Sequence, residues 1–288
     1  MESIWAQNGV SSASQFVVAI YFAFAFAAAR FFLDRFIFRW LAFWLLSRGS
    51  PMLKLNDAAK AKIGKCSESM WKLTYYATVE FCILSSTYHE SWFSDARGYF
   101  RDWPDQELKR SLKLIYMCQC GFYIYSIAAL LTWETRRKDF FVMMSHHVVT
   151  VILIAYSYIT RFFRIGAVIL ALHDASDVFL EAAKVFKYSE TDLGASICFG
   201  FFALSWLVLR LIIFPFWVIR SSSYHSCEFL RLPEPYMVMI YYVFNTMLLT
   251  LLVFHIYWWI LIWSMITRQL KNKGKVGEDV RSDSEDED

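Results

Sequence analysis

The stretch FFVMMSHHVVTVILIAYSY, from Phe140 to Tyr158, is apolar enough to cross a lipid bilayer, yet it contains two adjacent histidines, His146 and His147. The next apolar stretch adds three more ionisable side chains: His173, Asp174 and Asp177. Ionisable groups inside a membrane segment are energetically costly, so they usually face a protein interior or a water-filled cavity and mark function. These two stretches therefore predict a membrane protein with a polar site between its helices.

The composition supports a membrane protein. Hydrophobic residues make up 57% of the 288 residues, aromatic residues make up 19%, and the mean hydropathy is +0.36. A soluble domain is only about 45 to 50% apolar. The formal net charge of +3 gives no indication of a nucleic-acid-binding surface. We therefore predict an all-α polytopic membrane protein.

Crossing the hydrocarbon core takes about 20 apolar residues in a helix, and seven segments meet this length. Glu80 interrupts the second of them, which is the weakest prediction. A shorter apolar segment from Phe36 to Leu46 is flanked by arginines, which is typical of a helix that lies in the membrane interface. The seven predicted spans cover residues 14–33, 71–88, 112–132, 139–160, 163–181, 194–219 and 236–266.

The basic residues predict the orientation, because loops rich in lysine and arginine stay in the cytosol. Of the 29 basic residues, 19 lie in one set of alternate segments and eight lie in the opposite set. This asymmetry predicts a lumenal N-terminus and a cytosolic C-terminus. We divide the chain into an N-terminal membrane helix with an interfacial helix and a basic cytosolic loop (1–70), a membrane domain that contains the ionisable cluster (71–267) and an acidic, disordered cytosolic tail (268–288). Ser282 and Ser284 in the tail are candidate phosphorylation sites.

Depth counting places the ionisable residues in one layer. His146 lies seven residues into its span, roughly 10 Å from the cytosolic surface, and Asp174 lies at a similar depth in the next span. The spacing of His173, Asp174 and Asp177 predicts that they share one helix face. His146 and His147 are about 100° apart around their helix, so only one of them points squarely into the shared space.

Several chemistries suit such a layer. A histidine oriented by a carboxylate performs acyl transfer, two histidines with two aspartates fill a zinc site, and a chain of such groups relays protons in a transporter. Di-iron oxygenases need about eight histidines in their boxes, whereas this chain has six. A seven-span receptor is a further alternative, but its usual sequence motifs are absent. A purely structural role, in which buried histidines only bond neighbouring helices, suits a single histidine better than a layer of five polar groups.

Three motifs at fixed spacing closely resemble the signature of ceramide synthases, the longevity-assurance branch of the TLC-domain family. They are WETRRKDF at 133–140, MSHH at 144–147 and LHDASDVFLEAAK at 172–184. The resemblance covers roughly residues 71 to 265. Further features at 128–134, 205–217 and 281–284 resemble the plant members of that branch.

The resemblance implies an N-acyltransferase of the endoplasmic reticulum membrane. Such an enzyme joins a fatty acyl-CoA to the amine of a sphingoid base and forms dihydroceramide or phytoceramide. Acyl-CoA is a co-substrate, so we expect no further cofactor and no metal. The expected partners are membrane lipids and a second subunit in a homo- or heterodimer, and we expect no binding of nucleic acid. C16 acyl-CoA and dihydroxy bases are the expected substrates. A non-catalytic TLC-domain protein that binds or chaperones lipids is the alternative.

The same resemblance suggests residue roles. The catalytic candidates are His146, His147, Asp174 and Asp177: His146 is acylated to an acyl-imidazole, His147 acts as base or structural partner, and the aspartates orient the imidazoles. Direct transfer without an acyl-enzyme remains an alternative. The substrate-binding candidates are Arg136, Arg137, Lys138, His173, Trp206 and Arg210, of which the three at 136–138 pair with CoA phosphates.

Overall fold

Helices account for the regular structure in the described part of the chain, which comprises residues 15–49, 57–134, 136–229 and 235–271 of the computed structural model. Two π-helical segments, Asp34–Phe38 and Trp206–Ile219, connect α1 to α2 and α7 to α8 without a break. The helices are α1 (Phe16–Leu33), α2 (Arg39–Gly49), α3 (Asp57–Thr87), α4 (Arg110–Thr132), α5 (Phe140–Ile159), α6 (Phe163–Tyr188), α7 (Asp192–Ser205), α8 (Arg220–Phe229) and α9 (Pro235–Lys271).

The multi-pass membrane architecture is confirmed. Within the described ranges, five helical stretches are long and apolar enough to cross a membrane: Phe16–Ser47, Arg110–Thr132, Phe140–Ile159, Asp192–Phe229 and Pro235–Lys271. The other two predicted spans form helices α3, of 31 residues, and α6, of 26 residues. Neither is among these five stretches; the predicted span in α6 contains Arg164, Asp174, Asp177 and Glu181, and α3 and α6 pack against each other. The count of seven spans and the orientation remain predictions.

The segment from Phe36 to Leu46 differs from its prediction as a separate interfacial helix. It is helical, but it continues the first helix through the π-helical segment. Asp34, at the start of that segment, accepts hydrogen bonds from Arg39 at 2.8 Å and from the Ser67 hydroxyl. These contacts attach the join between α1 and α2 to helix α3. A short apolar run therefore extends an existing helix here, and its position relative to the membrane interface remains a prediction.

Helix α6 lies at the centre of the helix bundle. It packs against α3 on one side and α7 on another, while α1 packs on α4, and α9 packs on α5 and on the π-helical segment Trp206–Ile219. Half of the residues of α6 are buried, including small residues near its start such as Gly166, Ala167 and Ala171. Because α6 is surrounded by other helices, its ionisable side chains are directed at protein and not at lipid.

Gly121 allows α1 and α4 to approach closely, as small residues do between membrane helices. A Cβ atom at this position would lie 2.5 Å from both the Ala19 carbonyl oxygen and the Phe22 Cβ of α1. We expect Gly121→Ala to destabilise the protein by about 1 to 3 kcal/mol, because the two backbones must separate. Thermal unfolding in detergent measures the effect. Gly200→Ala is the matched control, since a Cβ atom at Gly200 would have no neighbour within 4 Å, and equal melting temperatures for the two variants would contradict the prediction.

Candidate active site

The two adjacent histidines of α5 point in different directions, as predicted. His146 is buried, with its ring centroid 6.5 Å from that of His173 on α6 and 5.1 Å from that of Trp258 on α9. His147 is half-buried, and its ring lies 5.6 Å from the ring of Tyr123 on α4. His146 of α5 and His173 of α6 therefore lie side by side, in agreement with the depth count.

Hydrogen bonding distinguishes the two imidazoles. The His147 Nδ1 lies 2.7 Å from the Met143 carbonyl oxygen. A carbonyl only accepts, so Nδ1 carries the proton and the neutral ring keeps a lone pair on Nε2. The Nδ1 of His146 is buried and has no hydrogen-bond partner among the described residues. Each ring thus has a nitrogen that is free to act as a base or a nucleophile.

A third histidine, His173, is already bonded on both sides of its ring. Its Nδ1 donates to the Ile169 carbonyl oxygen at 2.6 Å, and its Nε2 lies 2.8 Å from the Nε2 of His255 on α9. The first bond makes the His173 Nε2 an acceptor, so in the neutral pair the proton between the rings belongs to His255. The Nδ1 of His255 is buried without a described partner. The pair connects α6 to α9 within the layer.

The sequence analysis missed His255. The one signal for it was a lone histidine in an otherwise apolar helix, where an ionisable side chain is costly unless it has a partner. His255 is fully buried, and the rings of Trp206 and Phe214 pack around it. Its position 82 residues from His173 gave no local pattern from which to predict the pair.

The two aspartates of α6 have partners other than those expected. Asp174 is fully buried and accepts a hydrogen bond from Gln119 of α4, which itself accepts one from the Tyr75 hydroxyl of α3 at 2.7 Å. Asp177 accepts a hydrogen bond from Arg210 at 2.8 Å. The expectation that these carboxylates directly orient the imidazoles is therefore wrong for this structure.

The prediction that His173, Asp174 and Asp177 share one face of α6 also does not describe their contacts fully. His173 contacts α9, whereas the next residue, Asp174, contacts α4. Consecutive helical residues are about 100° apart, so one helix face cannot direct both side chains at the same neighbour. The layer therefore extends around part of α6, with His173 directed towards α9 and Asp174 towards α4.

Arg210 connects the π-helical segment to this layer. It is buried, donates hydrogen bonds to the carboxylate of Asp177 and to the backbone carbonyl of His173, and places its guanidinium carbon 4.0 Å from the ring centroid of Trp206. A buried cation is stable only with such partners. His173, Trp206 and Arg210 thus hold the layer together, and their predicted contact with substrate remains a prediction.

The helix ends that are predicted to face the cytosol carry a cluster of charged side chains. Lys72 of α3 bonds Glu68 at 2.9 Å and Glu134 after α4 at 3.0 Å. Lys184 of α6 pairs with Glu181 at 2.6 Å. The Lys72 ammonium and the nearby cations hold the pKa of the Glu68 carboxyl down at about 2, although burial alone would raise it. This end of the bundle is therefore held by ion pairs.

The predicted CoA-binding cations lie at the same end. Arg136 and Lys138 are exposed and Arg137 is half-buried, with the Arg136 guanidinium 5.0 Å from the Phe140 ring centroid. Their pairing with CoA phosphates remains a prediction. Ser282 and Ser284, the predicted phosphorylation sites, lie outside the described residues.

A narrow apolar cavity extends from the polar layer between α4, α5, α6 and α9. His173, Ser157 and Gly166 are among the residues that line it. Its remaining wall is mostly aliphatic and aromatic, with Tyr123, Leu153, Ile154, Leu170 and Phe244 among the residues that line it. Such a lining suits a hydrocarbon chain whose reactive end lies at the histidines. Among the described residues, no group of three or more His, Cys, Asp or Glu side chains is arranged to hold a metal ion.

Comparison with known proteins gives the family. The family model for the TLC domain matches residues 65–264. The chain is 64% identical to ceramide synthase LOH2 of Arabidopsis thaliana, over 95% of this chain and 93% of that protein. It is 60% identical to ASC1-like protein 3 of Oryza sativa subsp. japonica, over 98% and 99%, and 36% identical to ceramide synthase 5 of Mus musculus, over 80% and 54%. The chain therefore belongs to the TLC-domain family, in its plant ceramide synthase branch.

Proposed function

We infer that this protein is an acyl-CoA-dependent ceramide synthase, a sphingosine N-acyltransferase. One observation carries the inference: a chain 64% identical to a ceramide synthase buries a layer with two available imidazoles, on His146 and His147, inside an apolar helix bundle. A lipid-binding protein without catalytic activity has no need to bury such groups, since each is costly in a membrane.

The reaction joins two lipids at the polar layer. The nitrogen of the sphingoid base forms a bond to the thioester carbonyl carbon, the carbon–sulfur bond breaks, and CoA leaves as a thiolate that takes up a proton. The amine arrives as an ammonium ion and must lose a proton before it attacks, so a base is required. Acyl-CoA is a co-substrate in this scheme, and we propose that no other cofactor takes part.

His146 and His147 have different roles in the mechanism that we propose. His146 attacks the thioester carbonyl, the carbon–sulfur bond breaks as CoA leaves, and an acyl-imidazole remains. The amine then attacks the same carbonyl carbon, the bond from this carbon to the imidazole breaks, and the amide is released, so that the overall change is the one given above. His147 takes the proton of the amine on Nε2, since its Nδ1 proton is held by the Met143 carbonyl. Asp174 and Asp177 support these rings through the electrostatics of the layer and not through direct hydrogen bonds.

The wider setting is also a proposal. We place the enzyme in the endoplasmic reticulum membrane with its N-terminus in the lumen, so that Arg136 and Lys138 meet the phosphates of cytosolic acyl-CoA. The acyl chain then lies in the apolar cavity beside His173. C16 acyl-CoA and dihydroxy bases are the proposed substrates, and a dimer is the proposed assembly.

An assay with purified protein tests the function. Detergent-solubilised protein is incubated with C16 acyl-CoA and a dihydroxy sphingoid base, and the N-acylated product is quantified by mass spectrometry. We expect amide formation that depends on both substrates and releases one CoA per amide. Binding of both lipids without amide formation, in protein that is folded and monodisperse, would reject catalysis and leave a lipid-binding protein.

The proposal of a metal-free site gives a separate prediction. Strong chelators are expected to leave turnover unchanged, and elemental analysis of the purified protein is expected to find far less than one transition metal per chain. A bound zinc ion that is lost with activity and restores it on return would replace the acyl-histidine mechanism with a metal-assisted one.

A further inference from the structure

Helix α3 carries a half-buried acidic residue that the proposed mechanism does not use. Glu80 lies in the middle of the second predicted span, and its Oε2 is buried without a hydrogen-bond partner among the described residues. It also forms no ion pair with a described lysine or arginine, whereas Glu68 on the same helix bonds Lys72. A carboxyl group in a membrane interior is costly, so an unpaired one indicates a function or a missing partner.

The surroundings of Glu80 connect it to the active-site layer. Helix α3 packs directly on α6, and the Asp174 carboxyl of α6 is close enough to act electrostatically on Glu80. Tyr75 of α3, one turn and a half earlier, is linked through Gln119 to Asp174. The second carboxyl oxygen of Asp174, Oδ1, is buried and lacks a described partner, and the whole residue is fully buried. Two unsatisfied carboxyl oxygens therefore lie on facing helices.

The nearest basic side chain of the layer does not bond them. Arg210 donates from its Nη2 to Asp177 and to the carbonyl of His173, and among the described residues none of its hydrogen bonds or ion pairs reaches Glu80 or Asp174. The chemistry of the missing partner is that of a cation with several N–H donors, because carboxylate oxygens accept hydrogen bonds most strongly from charged donors. A primary ammonium has three such donors and a pKa of about 10. It is also the reacting group of a sphingoid base.

The site lies beside the proposed base. The Tyr123 ring is 5.6 Å from the His147 ring, and Tyr123 also lies within electrostatic range of Asp174 and Asp177. Tyr123 is four residues after Gln119 on α4, so both face the same space. Tyr123 thus neighbours both His147 and the aspartates of α6.

We propose that Glu80 and Asp174 together bind the ammonium group of the sphingoid base before it is acylated. The proposal rests on the proposed function and adds the substrate site to it. The ammonium donates hydrogen bonds to the Glu80 Oε2 and the Asp174 Oδ1, and one of its protons passes to the Nε2 of His147. The neutral amine then attacks the acyl carbon, and Glu80 acts only as a binding residue, with its carboxylate paired to the ammonium until that proton has left.

Steady-state kinetics test Glu80. Glu80→Gln keeps the size of the side chain but removes its charge, so we expect the KM for the sphingoid base to rise at least tenfold while the KM for acyl-CoA stays within twofold. Glu80→Asp keeps the charge and is expected to recover part of the loss. Glu90→Gln is the matched control. Glu90 lies outside the predicted spans, and its hydrogen bond with Lys109 lowers the pKa of its carboxyl group. Both KM values of this variant are expected to match those of wild type.

A binding measurement separates charge recognition from a structural role. Competition by the sphingoid base is compared with competition by an analogue that has a hydroxyl in place of the amine. Wild type is expected to prefer the amine at least tenfold, and Glu80→Gln to lose that preference. Equal weakening of both ligands, or an unchanged KM for the base in folded Glu80→Gln, would overturn the ammonium site. If wild type forms no amide at all, the proposed function fails instead, and the amine preference still tests the site.

Discussion

His147→Ala and His146→Ala are each expected to lower turnover by roughly 10² to 10⁴, the contribution of a general base or a comparable group in the reacting layer. His147 has its Nδ1 fixed by the Met143 carbonyl at 2.7 Å, so its Nε2 is set to take a proton. His146 has a buried, unpartnered Nδ1 beside the rings of His173 and Trp258. Turnover with saturating substrates, in protein that is confirmed to be folded, measures the loss.

The exposed histidine His89 gives the control. His89→Ala removes the same imidazole far from the layer, so its turnover should equal that of wild type. Retention of near wild-type turnover by folded His146→Ala would remove this residue from the mechanism, and the same result for His147→Ala would remove the proposed base.

Arg210→Met is expected to destabilise the protein by about 3 to 5 kcal/mol, because it leaves the Asp177 carboxylate without its partner in a buried site. The effect should fall in the lower part of that range, since 19% of the Asp177 side chain remains exposed. The substitution also removes the hydrogen bond to the His173 carbonyl and the packing on Trp206. Equilibrium unfolding in mixed detergent micelles measures the change in free energy.

A double-mutant cycle separates the ion pair from the packing. Asp177→Leu with Arg210→Met removes both charges, so the double variant should be more stable than Arg210→Met alone. Additive effects of the two substitutions would show that the pair contributes little and that Arg210 acts mainly through Trp206 and the backbone of α6.

Much of the helix arrangement was predictable from apolar runs, because a span must be long and uncharged. The predictions for residues 112–132 and 139–160 agree with α4 and α5 to within two residues. The segment from Phe36 to Leu46 was less predictable. Its continuation of α1 depends on Asp34 contacting Ser67 of a different helix, which no local pattern reports.

The depth of the site residues in the membrane was predictable from the sequence, but their hydrogen-bond partners were not. Counting residues from the helix ends gives depth directly, so the common layer of His146 and His173 followed from the sequence. Pairing depends on which helices are neighbours in space. His255 and Gln119 lie 82 and 55 residues from their partners on α6, and the rotation of each helix about its axis decides the contact. Periodicity therefore identified the candidates but assigned the aspartates to the wrong partners.

The π-helical segment Trp206–Ile219 has a wider winding than an α-helix, since its hydrogen bonds run from i to i+5. It accommodates Pro215 within a continuous helix, although a proline normally breaks an α-helix there. The winding also sets the rotation at which Trp206 and Arg210 stack on each other. A deletion in this segment would rotate the residues that follow it about the helix axis and would turn the guanidinium away from Asp177. The number of residues in the segment, as much as its composition, thus keeps the polar layer assembled.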